Sequence, residues 1–393
     1  MAEIFIVAAV RTAIGSFGGA LRQHSPADLA ALVTREVLSR AAADTAGVGH
    51  VVFGQVIPTA PQDAYLARIA TLGAGLSSAV PALTVNRLCG SGLQAIVSAA
   101  QAMALGDCDM AVGGGAEVMS RAPFFAPAVR WGQKLGDAVL VDALNGALTD
   151  PFEKILMGVT AENVAERYRV GRDRQDALAL ESQRRAAQAI EQGRFASQIV
   201  AVAIPGKGVK VDFLIDEHVR PATTPEDLAR LRPLFKERDG TVTAGNASGI
   251  NDGAAAVLLA NAATVRAQNL APMARLVAYA HAGVEPAYMG MGPVPATRIA
   301  LRRAGLAVSD LDLIESNEAF AAQACAVAAE LDFDPAKTNP NGGAIALGHP
   351  VGATGAILVT KLIHELQRRK GRYGLVTMCI GGGQGIAAIF ERT

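Results

Sequence analysis

Apolar positions in this chain fall into short unbroken runs, and these alternate with stretches in which apolar residues recur at helical spacing. Ile4 to Ala9 is such a run and reads as a buried strand. Pro26 to Ala42 has helical spacing, Val51-Val52-Phe53-Gly54 reads as a strand, and Gly92 to Leu105 is an Ala-rich helix. Asp109 to Gly113 is a short buried strand that ends in a run of glycines. Strand and helix signals in alternation predict an α/β architecture, with helices layered on sheet.

The pattern then repeats. Helix Pro26–Ala42 leads to strand His50–Phe53, a loop into Leu88-Cys89-Gly90, a helix, and a strand closing on Gly113-Gly114-Gly115. Nearer the C-terminus, helix Pro295–Ala304 leads to strand Leu311–Glu315, a loop into Leu347-Gly348-His349, helix Gly355–Arg368, and strand Leu375–Met378 closing on Gly381-Gly382-Gly383. His349 thus takes the place in the second copy that Cys89 takes in the first. Residues 119–249 depart from this order. They hold the only Trp (Trp131), a charged helix Ala161–Gln192 and a mixed-charge segment Gly206–Asp239. They read as an insertion lying over the two repeats, where specificity usually resides.

Length and composition narrow the function. The 393 residues allow two or three structural units, and a hydrophobic share of 51% is ample for large cores. Basic and acidic side chains balance at 36 each, so no global field favours nucleic acid or an anionic membrane, and an anionic ligand must be held by a local patch. No stretch approaches the ~18 uninterrupted apolar residues of a membrane span. The N-terminal run reads as a strand rather than a signal peptide. Four cysteines, none in a C-x-x-C pair, argue for reduced thiols in a cytoplasmic protein.

Four segments can carry chemistry. In Asn86-Arg87-Leu88-Cys89-Gly90-Ser91-Gly92, a Cys just before a helix meets the positive end of the macrodipole, which favours thiolate. Gly90 and Gly92 would let a substrate approach and leave amides free for an oxyanion. His349, fixed between Gly348 and Pro350 ahead of a helix, is placed as a general base is aimed. Cys379 ends a strand at a glycine turn, from which its sulfur can project into a cleft. A metal held by Cys89, His349 and Cys379 is a poor alternative, because the ligands lack close pairing and a fourth member. Asn317 in Glu315-Ser316-Asn317-Glu318-Ala319-Phe320 is read, on its own, as a helix cap. Cys108 and Cys325 are assigned to the core.

Taken together, Asn-Arg-Leu-Cys-Gly-Ser-Gly-Leu-Gln, Asn-Glu-Ala-Phe, Gly-His-Pro-Val-Gly-Ala-Thr-Gly and Cys-Ile-Gly-Gly-Gly-Gln-Gly resemble the four signature blocks of the thiolase family, in family order and spacing. The Cys-Gly-Ser-Gly form and Ala353 are similar to the biosynthetic branch, and to the bacterial β-ketothiolases of broad chain length that feed polyhydroxyalkanoate synthesis.

The resemblance implies duplicated βαβαβαββ halves in an α-β-α-β-α core. Residues 1–118, with about 250–270, would form the first half, 119–249 an inserted loop domain, and 271–393 the second half. It implies Cys89 as the acyl-carrying nucleophile, His349 as its base, and Cys379 as the acid or base at the substrate α-carbon. One oxyanion hole would use His349 and a water on Asn317, the other the N–H groups of Cys89 and Gly381. CoA and acyl contacts fall on Leu148, Leu156, Met157, Arg220, Ser248, Met289, Ala319 and Phe320. Leu156 stands where many relatives carry His. CoA thioesters would be substrates, with no separate cofactor and no metal. The implied partners are acyl-CoA, CoA and further copies of the chain in a dimer of dimers, with Arg121–Trp131 as the tetramer contact. The readings set against this one are a decarboxylating ketoacyl synthase and a non-catalytic acyl-CoA carrier.

Overall fold

The computed structural model describes residues 3–206 and 209–393. Met1 and Ala2 of the first apolar run, and Lys207 and Gly208 of the mixed-charge segment, lie outside the described residues. The main strands are β1 (Ile4–Thr12), β2 (Val48–Gly54), β3 (Ala82–Val85), β4 (Met110–Val118), β5 (Asn251–Asn261), β6 (Ala274–Gly283), β7 (Leu313–Ser316), β8 (Tyr373–Ile380) and β9 (Gln384–Arg392). They form one sheet in the order β7-β8-β9-β6-β1-β5-β4-β2-β3, to which two short strands, Gly15–Ser16 and Ile199–Val200, attach at β5 and β1.

As far as β7 on one side and β2 on the other, the order reads the same outward from the centre, and β3 adds an edge strand beyond β2. β1 and β6 are the inner strands of the two halves, and their seam spans only Phe5 opposite Arg275 and Ile6 opposite Ala274. Outward on each side follow an antiparallel strand (β5, β9), a second antiparallel to that one (β4, β8), and a third parallel to the second (β2, β7).

Helices fill the layers around the two half-sheets. These are α1 (Pro26–Ala41), α2 (Leu66–Gly73), α3 (Ser91–Leu105), α4 (Ala143–Ala147), α5 (Met157–Arg167), α6 (Arg172–Glu191), α7 (Pro293–Ala304), α8 (Ala321–Leu331) and α9 (Thr354–Arg369). α1 and α2 cover the first half-sheet and α7 the second. α3 packs on β4 and β2, while α9 touches β5 and β1 of one half and β8 and β7 of the other, so these two form the middle layer. Local sequence sets the starts and stops. Ser25 and Asp28 close a capping box on α1, Pro26 occupies its first turn, and Ala42 ends it in the left-handed region. The stretch Leu88–Leu105, which contains α3, is long and apolar enough to cross a membrane, but it lies between the half-sheets and more than half of it is buried.

Two sequence expectations change here. The glycines at 113–115 lie inside β4, opposite Val257, Ala256 and Ala255 of β5, whereas those at 381–383 form the turn between β8 and β9. They are not equivalent in the two copies. The first run lets neighbours approach the strand closely, since a Cβ at Gly113 or Gly115 would strike Ile96 or the Gly352 carbonyl. The charged helix expected over Ala161–Gln192 is two helices, α5 and α6, broken where Arg169 turns left-handed ahead of Gly171. The segment 119–250 is pinned to the sheet by Arg11 of β1. Arg11 is fully buried and donates to both oxygens of Asp216 at 2.7 and 2.9 Å and to Gln198 at 2.7 Å. A charge buried this deeply requires such partners.

Candidate active site

The turn before α3 is built by side chains that bind backbone. Asn86 accepts from the Leu88 N–H at 2.9 Å, and the Ser91 hydroxyl accepts from the Arg87 N–H at 2.8 Å and donates to the Leu88 carbonyl at 2.7 Å. These three bonds hold Leu88 at φ +46°, a conformation that a branched side chain adopts only under constraint. The next residue, Cys89, is half-buried, and the backbone N–H groups of Gly381 and of Cys89 itself point at its sulfur. Sequence reasoning favoured a thiolate here. Burial prevails over those two donors and, with the negative charge of Glu117 behind it, pushes the thiol pKa up. As a nucleophile this thiol would need a base.

Gly90 and Gly92 have a different task from the one expected. A Cβ at Gly90 would meet Ile380, and one at Gly92 would meet the carbonyls of Gly352 and Ala353 about 3.0 Å away. On the facing helix, a Cβ at Gly355 would strike Leu93. The glycines let α3 and α9 cross backbone to backbone, which draws the His349 loop against the Cys89 turn. Val351 shares an apolar cluster with Leu88 and Cys89 as a result.

His349 is buried and held on three sides. Its N–H donates to Asn251 Oδ1 at 2.9 Å, its Nδ1 lies 2.6 Å from the Thr354 hydroxyl, and its Nε2 lies 3.4 Å from Asn317 Nδ2. Thr354 Oγ1 gives its own hydrogen to the Pro350 carbonyl at 2.8 Å. It can then only accept from Nδ1–H, which leaves Nε2 with its lone pair, faced by the Asn317 amide, available as a base. Burial lowers the imidazole pKa to about 4, so the ring is neutral at neutral pH.

Cys379, the penultimate residue of β8, is buried in an apolar cluster with Met289 and Ala319, against which Met157 and Phe320 pack. Burial and the charge of Cys89 both push its thiol pKa up, which places the two sulfurs in one field. Asn317 follows β7, where its N–H donates to the Thr377 carbonyl at 3.0 Å, and its buried Oδ1 meets no protein donor among the described residues. Gly381 lies against Leu88 and Met157. The sulfurs, the imidazole, Asn317 and Gly381 thus come together where the two middle helices begin.

The positions expected to contact CoA separate into two groups. Met157, Met289, Ala319 and Phe320 surround Cys379. Leu148 accepts from the Met157 N–H at 2.8 Å, and Ser248 donates its N–H to the Ala319 carbonyl at 3.0 Å, so both adjoin that group. Leu156 is exposed ahead of α5. Arg220 is exposed and bonds Gln183 through its backbone N–H, with no contact to the reacting groups. Of the remaining cysteines, Cys325 is buried and Cys108 only half-buried at the core margin. Sequence reasoning missed Thr354, Asn251 and Glu117. Thr354 stands inside the quoted His motif, five residues after His349, and could have been found there. The other two come from strands far away in sequence.

The chain matches the thiolase N-terminal domain over residues 4–263 and the thiolase C-terminal domain over residues 270–392. It is 63% identical to beta-ketothiolase BktB of Cupriavidus necator over 390 residues, covering 99% of both chains. It is 50% identical to an acetyl-CoA acetyltransferase of Pseudomonas aeruginosa, covering 100% of both. Its fold superposes on the crystal structure of human mitochondrial 3-ketoacyl-CoA thiolase in complex with CoA with a TM-score of 0.97, at 44% identity, covering 100% of this chain and 98% of that one. A duplicated half, a cysteine and a histidine brought together at crossed helices, and likeness along the whole length of both chains lead to one conclusion: the chain belongs to the thiolase family.

Proposed function

We propose that this enzyme joins acetyl-CoA to acetyl-CoA or another short acyl-CoA, giving a 3-ketoacyl-CoA and CoA, and that it runs the reverse thiolysis on the same groups. The observation that carries the reading is the convergence of a nucleophile turn, a neutral imidazole and a second buried thiol on one place.

His349 Nε2 takes the Cys89 proton as the sulfur attacks the thioester carbonyl, and passes it to the departing CoA sulfur. Cys379 then gives its own proton to the freed Nε2 and removes the α-proton of the second acyl-CoA. The resulting enolate carbon attacks the acyl-Cys89 carbonyl. Cys89 leaves as thiolate and recovers a proton from His349. Negative charge forms on oxygen in both halves. The N–H groups of Cys89 and Gly381, already aimed at one sulfur, suit one oxyanion. Protonated Nε2, with a water donating to the free Asn317 Oδ1, suits the other.

CoA as substrate is supported by the human relative described in complex with it. The apolar wall of Met157, Met289 and Phe320 suits a short acyl chain. Exposed Phe124, Phe125, Trp131 and Leu135 in the inserted stretch support self-association, which we read as a dimer of dimers. We further read the enzyme as cytoplasmic, as needing no cofactor beyond its CoA substrates, and as a supplier of polyhydroxyalkanoate precursors.

The test is loss of the 3-ketoacyl-CoA enolate absorbance on adding CoA, with acetoacetyl-CoA and 3-ketovaleryl-CoA. Absence of loss with both would overturn the reading in favour of a carrier. Condensation with malonyl-thioester but not with acetyl-CoA would favour a decarboxylating synthase.

A further inference from the structure

Behind the site lies a carboxyl group that the chemistry above does not use. Glu117, at the end of β4, is fully buried. Its Oε2 accepts from the Val56 N–H at 2.9 Å and the Gly352 N–H at 2.8 Å, and its Oε1 accepts from the Ile57 N–H at 3.1 Å. These amides belong to the two walls of the site. Val56 and Ile57 follow β2 and form the apolar cluster against which Leu88 and Cys89 pack. Gly352 lies three residues after His349, in the same loop. The loop that carries the base and the wall behind the nucleophile are therefore fastened to one side chain. A Cβ at Gly352 would collide with that carboxylate, so the loop is seated on it without intervening atoms.

We propose that Glu117 is a positioning residue of this site, holding the His349 loop and the wall of the Cys89 turn in a single register. The inference rests on the thiolase reading. Glu117 touches neither substrate nor the reacting atoms, and acts through the backbone of Val56, Ile57 and Gly352. Once ionised it has a second effect, since its charge then opposes ionisation of Cys89. Burial, aided by the negative charge of Asp63 in the turn Pro61–Tyr65, raises its own pKa to about 8 against the pull of its three amides. The neighbouring strand presents Gly253 opposite Glu117, and the residues that bond it supply only amides, so Asp63 and Cys89 are the titratable groups coupled to it.

The test compares wild type with Glu117→Gln and Glu117→Asp as full-length enzymes. Glutamine keeps the shape but turns a donor toward amide donors, and aspartate keeps the charge but draws it back by one methylene. Displacing reacting groups by about 1 Å costs about 10²-fold, so kcat of thiolysis should fall by that order in both variants while KM stays within about threefold. Thermal midpoints are expected to fall in both variants, because buried amides lose their acceptor, while the enzyme stays folded at the assay temperature. In Glu117→Gln the pH midpoint for iodoacetamide alkylation of Cys89, followed by peptide mass, should move down, because the opposing charge is gone. A kcat near wild type in both variants, or a loss that merely follows the unfolded fraction with an unmoved alkylation midpoint, would overturn the proposal. Should Glu117→Gln fail to fold, Glu117→Asp carries the kcat test alone. An inactive wild type would instead refute the thiolase reading.

Discussion

His349 Nδ1 sits 2.6 Å from the hydroxyl of Thr354, whose own hydrogen is taken by the Pro350 carbonyl. One hydroxyl thereby selects the tautomer of the base and holds the ring against rotation. Replacing Thr354 by Val should lower kcat by about 10²-fold, the typical cost of a base set slightly out of place. Thr354→Ser should restore most of the rate. Steady-state thiolysis of acetoacetyl-CoA measures both, and equal loss in the two variants would show that the hydroxyl is not what matters.

Separate tasks for the two sulfurs predict separable defects. Cys379→Ser should still take acetyl groups onto Cys89, seen as a mass gain on the Cys89 peptide, while carbon–carbon bond exchange falls below detection. Equal loss of both steps would refute the division.

Acid should affect stability through the imidazole. Its pKa in the folded state, about 4, lies below the ordinary value of 6.5, because burial disfavours the cation. The stabilisation from burying a neutral ring is complete above 6.5 and is lost as pH falls toward 4. Urea midpoints should fall over that window in wild type and fall less in His349→Asn. Between pH 7 and 6 the thiolysis rate should not drop through protonation of His349, and a rate break there that vanishes in no other variant would contradict the assignment.

Leu156 is exposed at the start of α5, beside Met157 of the acyl wall. Leu156→His places a polar group at this rim and should change the ratio of kcat/KM for four-carbon and five-carbon ketoacyl-CoAs. An unaltered ratio removes Leu156 from specificity.

What the sequence revealed, and what it hid, follows from range. Continuous apolar runs and helical spacing located β1, β2, β7, β8, α1, α3, α7 and α9 to within a few residues, because those signals are local, whereas β3, β5, β6, β9, α2 and α8 went unread. The groups proposed to react were legible because they stand in short motifs that can be read in one dimension. The break between α5 and α6 escaped because Arg169, a residue at home in helices, takes the left-handed conformation there. The resting state of Cys89 was misjudged because a helix terminus is visible in sequence and burial is not. Glu117 and Asn251 were out of reach, since each meets the His349 loop from more than 90 residues away.

The crossing of α3 and α9 has one more consequence. Where main chains touch, at Gly92 and Gly355, no atom is left over for natural variation to alter. On this frame a change of substrate preference can be made at exposed positions beside the acyl wall, such as Leu156, without touching the crossing.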